Sequence, residues 1–150
     1  YLPEEPNRIK ETGFGKRKTV EGPDMCEVVC LLQKRWEDSE GNLYAKRVGT
    51  LRMRFDKSTD GWQEDKQFNI HYGDISKESW YRGWMGPVTG ERTYYALNSK
   101  GDNVPIHEEG WASADENPTH LILKFDSSYG GAYIGTPGAT LWIDNVKMVY

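Results

Sequence analysis

The residues whose types and spacing could do chemistry are aromatic. The stretch "SKESWYRGWMGPVTGERTYY", residues 76 to 95, places Trp80, Tyr81 and Trp84 among polar and glycine neighbours. A sugar ring presents a face of C–H bonds, and an indole or phenol offers a flat apolar surface with a polar tip for the surrounding hydroxyls. Trp62, just after an Asp-Gly turn, and Trp111, in "EEGWASADENP", are two further candidates for such stacking. The competing reading of Trp80, Tyr81 and Trp84 is packing beneath a long loop. Trp36, Trp62 and Trp142 lie in or at the ends of predicted strands, where core or sheet-face packing is the plainer expectation.

Catalytic constellations are not visible. A glycosidase needs two carboxylates about 5 to 9 Å apart, held in unlike environments. The acidic pairs Glu37 and Asp38, Glu64 and Asp65, Glu108 and Glu109, and Asp115 and Glu116 are adjacent and turn-like, which predicts solvated acids. His71, His107 and His120 are widely separated, and no serine occupies a Gly-x-Ser-x-Gly elbow. The chain therefore reads as no enzyme, with a glycoside hydrolase as the remaining catalytic alternative. Cys26 and Cys30, four apart in a predicted strand, would sit about 13 Å from each other, too far for a disulfide. They are expected to be buried thiols. The glycines of "FDSSYGGAYIGTPGAT" follow no phosphate-loop order and open no helix, so they read as turn architecture.

The elements that must position these residues are strands. No stretch repeats apolar residues at helical spacing, whereas several alternate with period two between Gly, Pro, Asn and Asp. "MCEVVCLLQKRW" puts Cys26, Val28, Cys30 and Leu32 on one face. A Gly-Asn turn in "SEGNLY" leads to the returning strand "LYAKRVGTLRMRF". A third strand alternates Phe68, Ile70 and Tyr72 with Asn69 and His71. Residues 73 to 117 form a long excursion relieved only by "TYYAL". "THLILKFDSS" and "ATLWIDNVKMVY" close the chain, the latter with a phase shift that predicts a β-bulge at Asp144-Asn145. Residues 1 to 12 read as an irregular lead-in, and residues 13 to 150 as one antiparallel β-sandwich of jelly-roll type. Five or six visible strands are few for a jelly roll. Two or three more are expected, either hidden in 76 to 112 or supplied from upstream of Tyr1.

Composition bounds the partners. The chain has 150 residues, 19 Lys and Arg against 23 Asp and Glu, and a formal net charge of −4. Without a basic block it has no electrostatic source for nucleic-acid binding. Six Trp, nine Tyr and sixteen Gly with a mean hydropathy of −0.78 suit a turn-rich β fold with aromatics in wet places. No apolar run is long enough to insert in a membrane, and residues 1 to 20 lack the order of a signal peptide.

A resemblance sharpens this reading. "NPTHLILKFDSSYGGAYIGTPGATLWIDNVKMVY" resembles the C-terminal stretch of the PCMD (carbohydrate metabolism domain) family of Bacteroides-type bacteria. The order is kept: a Pro-led strand, a Ser-Ser-Tyr-Gly turn, Tyr-x-Gly, then Gly-Ala-Thr-Leu-Trp-Ile-Asp-Asn-Val. "TGFGKRKTVEGPDMCEVVCLL" is similar to the family's upstream Gly-Tyr-Tyr-Lys-Tyr segment, with Phe14 and Arg17 standing where tyrosines are expected. The resemblance implies a galactose-binding-like jelly roll, carbohydrate-binding-module-like, at the C-terminus of a secreted or cell-surface protein. The implied partner is a glycan or polysaccharide, the implied location extracellular, cell-surface or periplasmic, and a second partner an upstream domain of the same protein. It also implies a structural Ca²⁺ whose acidic ligand near the last strand would be Asp144, with Asn145 and upstream carbonyls as helpers, the alternative being that Asp144 caps the bulge or hydrogen-bonds the backbone of a neighbouring strand. A structural or adhesion module with no glycan ligand is the competing function.

Overall fold

A computed structural model describes residues 1–3, 7–90 and 93–149. The fold is an all-β sandwich. In chain order its strands are β1 (Asn7–Gly13), β2 (Lys16–Pro23), β3 (Cys26–Glu37), β4 (Leu43–Phe55), β5 (His71–Tyr72), β6 (Tyr95–Leu97), β7 (Asn103–Trp111), β8 (His120–Asp126) and β9 (Ile134–Gly135). A three-stranded sheet has the order β2-β1-β9, and a six-stranded sheet the order β6-β7-β4-β3-β8, with β5 paired to β4. The chain forms two compact units, residues 1–28, 53–66 and 124–150 in the first and residues 29–52 and 67–123 in the second.

β3 and β4 form where their patterns predict them. In β3 the run Val28 to Gln33 is buried on both faces, as a contiguous apolar run at the middle of a sheet must be. Burial pushes the thiols of both Cys26 and Cys30 up, and neither is in a disulfide. Five residues join β3 to β4. Asp38 organises that link: its carboxylate accepts the amides of Glu40 and Asn42 at 2.9 Å each and the Asn42 side-chain amide at 2.9 Å. Gly41, at φ 95, takes the left-handed conformation that the turn needs. At Gly49 on β4 a Cβ would stand 2.9 Å from Ile70, so the absent side chain is what lets the segment before β5 approach.

Several expectations change. β6 and β7 supply the further strands expected within 76 to 112, but β7 pairs with β4 in parallel, unlike the antiparallel pairs β1–β2, β1–β9, β4–β5 and β6–β7. Its Ile106 completes a cluster with Leu43 and Ala45, against which Tyr94, Ala96, Val104 and Ile122 pack. The third expected strand shrinks to His71–Tyr72. β1 occupies part of the stretch read as a lead-in. The closing strand does not form: residues 140–149 adopt no strand, and Trp142, expected in the core or against a sheet face, is 74 % exposed. Alternation supplies an amphipathic face, but a strand also requires a neighbouring ladder to satisfy its amides. Asn145, at the predicted bulge, does take a positive φ of 50.

Candidate functional site

The second unit presents an aromatic row across three adjacent strands. Trp36 of β3 stacks on Tyr44 of β4, with ring centroids 5.9 Å apart and planes 16° from parallel. Tyr44 in turn meets His107 of β7 at 5.6 Å and 38°. Trp36 is 40 % exposed and His107 is exposed, so the row opens to solvent. Cross-strand neighbours of this kind hold one another's rings in place.

The register that builds the row has two sources. Trp36 and Tyr44 each stand four residues from Glu40, at mirror positions about the Asp38 turn. Tyr44 and His107 are partners in the parallel β4–β7 ladder. Period-two geometry then sends the next residues, Ala45 and Glu108, to the opposite, buried side. There Glu108 accepts from Arg47 through both oxygens, the Nε contact measuring 2.8 Å, and from the Gln33 side-chain amide at 2.6 Å. Arg47 and Glu108 side chains are 0 % and 1 % exposed. Arg47 also donates to Thr50 Oγ1 at 3.3 Å and to the Met85 and Gly86 carbonyls at 3.2 and 3.4 Å, while the Val88 amide donates to Glu108 at 2.5 Å. One buried ion pair thus fixes β7 beside β4 and fastens the loop around residues 85 to 88. This corrects the expectation of solvated acids at Glu108.

Carboxylates border the row. The Tyr44 phenol is pushed up, first by desolvation, then by the charge of Asp38 and its hydrogen bond, and by Glu109 and Glu40. Asp38 itself is held below the usual carboxylate range by its hydrogen bonds to Asn42.

The five aromatics singled out by sequence fall elsewhere. Trp80 is 38 % exposed and its ring meets His71 at 4.5 Å and 43°. Trp84 lies in the 3-10 turn Gly83–Met85, where Arg52 donates to its carbonyl at 2.8 Å and holds a guanidinium 6.0 Å from its ring. Tyr81 is partly buried, its hydroxyl packed over Gly86, where a Cβ would stand 2.6 Å away. Trp111, at the end of β7, is partly buried with Arg47 6.0 Å from its ring. Trp62 is exposed, in the first unit. Trp80 keeps the geometry of a contact residue; Trp84 is drawn against Arg52 and Trp111 against Arg47, while Tyr81 packs over Gly86. The row itself escaped sequence reasoning, although the mirror placement of Trp36 and Tyr44 about one hairpin was a signal for its first pair.

Asp144 is exposed, and its carboxylate accepts the Asn145 amide at 2.7 Å. Among the described residues no group of three or more His, Cys, Asp or Glu is placed to hold a metal ion. Asp144 thus makes a local hydrogen bond to the backbone of the next residue. No helix among the described residues is long and apolar enough to cross a membrane. Compared with protein-family models, curated proteins and solved structures, the chain returns no match.

Proposed function

We propose that the protein is a non-catalytic glycan-binding module that takes a neutral saccharide chain on the Trp36–Tyr44–His107 row, in a secreted, cell-surface or periplasmic setting. The observation that carries the reading is the row itself: three rings in register on an open sheet face, with Asp38 and Glu109 beside the central phenol. Rings braced by neighbours on adjacent strands lose little freedom on binding, which favours contact with successive sugar units. Trp80, braced by His71, is an auxiliary contact on the same unit. The resemblance of the closing third to a carbohydrate-associated family agrees with this, but the reading rests on geometry.

The test is isothermal titration with a panel of neutral plant and host polysaccharides. Binding is expected for at least one, and Trp36→Ala and Tyr44→Ala each weaken it about fivefold, corresponding to about 1 kcal/mol per ring. Silence across the panel, or affinities unchanged in both variants, overturns the proposal. A second reading, an interaction module without a glycan ligand, is favoured by one observation: Trp142, Ile143, Val146 and Val149 all expose apolar surface within one short segment. Stable association with a protein partner that Trp36→Ala leaves intact would select it.

A further inference from the structure

The aromatic row ends at His107, but the sheet continues one strand further, to the edge strand β6. Alternation fixes which way that strand faces. Ala96 and Val104 are cross-strand partners, and both pack against the cluster of Leu43, Ala45 and Ile106 on the buried side. Tyr95 and its partner Pro105 therefore lie on the opposite side, and so does His107, two residues beyond Pro105 along β7. Tyr95 is 60 % exposed there, and Pro105 is half-buried. In this register Tyr95 stands diagonal to His107, at the roughly 7–8 Å that aromatic side chains on neighbouring strands can still bridge.

The position of β6 is fixed from both ends. At its start the Ile106 amide donates to the Tyr94 carbonyl at 2.8 Å, and the Thr93 hydroxyl donates to the Ile106 carbonyl at 2.5 Å. At its end Asn98 closes the β6–β7 hairpin, its side-chain oxygen accepting the amides of Lys100 and Asp102 at 3.0 and 2.9 Å. The Asn98 side-chain amide donates to the Gly41 carbonyl at 3.0 Å, and Glu37 accepts the Ser99 amide at 2.9 Å and the Ser99 hydroxyl at 2.6 Å. The β6–β7 turn is thereby tied to the β3–β4 turn, so hydrogen bonds set the placement of Tyr95 relative to Trp36. Single exposed apolar side chains are ordinary, whereas apolar surface aligned across adjacent strands marks a contact site.

We infer that the saccharide site crosses four strands, β3, β4, β7 and β6, and takes about four units of an extended, β-linked polysaccharide, with Tyr95 and Pro105 as its outer subsite. Neighbouring strands lie about 4.8 Å apart, close to the advance of one pyranose in an extended chain, so each strand crossed accommodates one unit. The inference rests on the reading of the Trp36–Tyr44–His107 row as a glycan site, and it adds the length and shape of the ligand. Isothermal titration of the full chain with β-1,4-linked gluco-, xylo- and manno-oligosaccharides of two to six units tests it. Affinity for the oligosaccharide that binds is expected to rise about tenfold from two units to four and to level off from four to six. Tyr95→Ala, at a side chain exposed enough to leave the core intact, weakens the four-unit ligand about fivefold, equivalent to about 1 kcal/mol. The two-unit ligand, held on the Trp36–Tyr44 pair, is unaffected. Leu97→Ala removes a side chain that is 69 % exposed on the same strand but further from the row, and it changes neither affinity; a face that is adhesive without subsites loses equally in both variants. No binding by any oligosaccharide, affinity that does not grow beyond two units, or a four-unit affinity unchanged in Tyr95→Ala overturns the inference. If Trp36→Ala and Tyr44→Ala still weaken polysaccharide binding in those cases, the row stands without its outer subsite, whereas silence of every polysaccharide as well overturns both.

Discussion

Replacing Glu108 by Leu tests the physical basis of the second unit. The substitution removes the carboxylate that Arg47 engages through two nitrogens, and it leaves a guanidinium whose side chain is wholly buried. It also leaves the Gln33 amide and the Val88 amide without their acceptor. Breaking a buried pair from one side costs about 3–5 kcal/mol, because the remaining charge keeps its desolvation penalty and loses its compensation. Arg47 retains Thr50 and the carbonyls of Met85 and Gly86, which places the expected loss near the lower end, about 3 kcal/mol. Against a domain stability of about 5–15 kcal/mol this is large. With a urea slope of about 2 kcal/mol/M, the unfolding midpoint falls by about 1.5 M. The assay is urea unfolding followed by tryptophan fluorescence and far-ultraviolet circular dichroism. The double variant Arg47→Met with Glu108→Leu removes both charges and is expected to recover most of the loss, the non-additivity measuring the coupling. A cost below about 1 kcal/mol for Glu108→Leu, or a double variant no better than the single one, refutes the clamp.

Two further outcomes follow from titrating groups. Burial raises the thiols of Cys26 and Cys30 above 9.0, so the fold favours their neutral forms; Cys30 should resist a thiol-specific chromogenic reagent until urea unfolds the chain, and the thiols' contribution to stability, complete below pH 9.0, should be lost as pH rises through the folded values. Rapid labelling of folded Cys30 would contradict this. His120 is depressed below 6.5, first by desolvation and then by Arg35, so the folded state binds fewer protons than the unfolded one. Stability should therefore hold above pH 6.5 and decline as pH falls through the folded value, and His120→Gln should flatten that part of a melting-temperature profile. An unchanged slope in the variant would show that His120 is not its source.

Some of this molecule was legible because local physics was sufficient. "VVCLL" can only be comfortable inside a sheet, and β4 begins and ends where alternation says it does. β8 likewise occupies the alternating run around Leu121, Leu123 and Phe125. β7 was hidden because Pro105, two adjacent acids and Gly110 look like loop, and only Arg47, supplied by β4, makes Glu108 an inward residue. The closing segment failed in the opposite direction: its pattern suits a strand, but residues 140–149 adopt none, and Thr140 at its start exchanges backbone hydrogen bonds with Tyr1. The aromatics of residues 80 to 84 were conspicuous as letters, yet residues distant in sequence hold two of them, Arg52 of β4 engaging Trp84 and His71 meeting Trp80.

What the amino-acid order determined by itself was the β class, the buried thiol of Cys30 though not that of the partly buried Cys26, the strands β3, β4 and β8, and the mirror placement of Trp36 and Tyr44 about a hairpin. These depend on side-chain periodicity and on turn chemistry within a few residues. Tertiary structure alone decided the parallel docking of β7, the burial of Glu108, and the arrival of His107 at the end of the row. Each of these depends on a partner distant in sequence, and the free energy of a buried charge is set by that partner rather than by its neighbours along the chain.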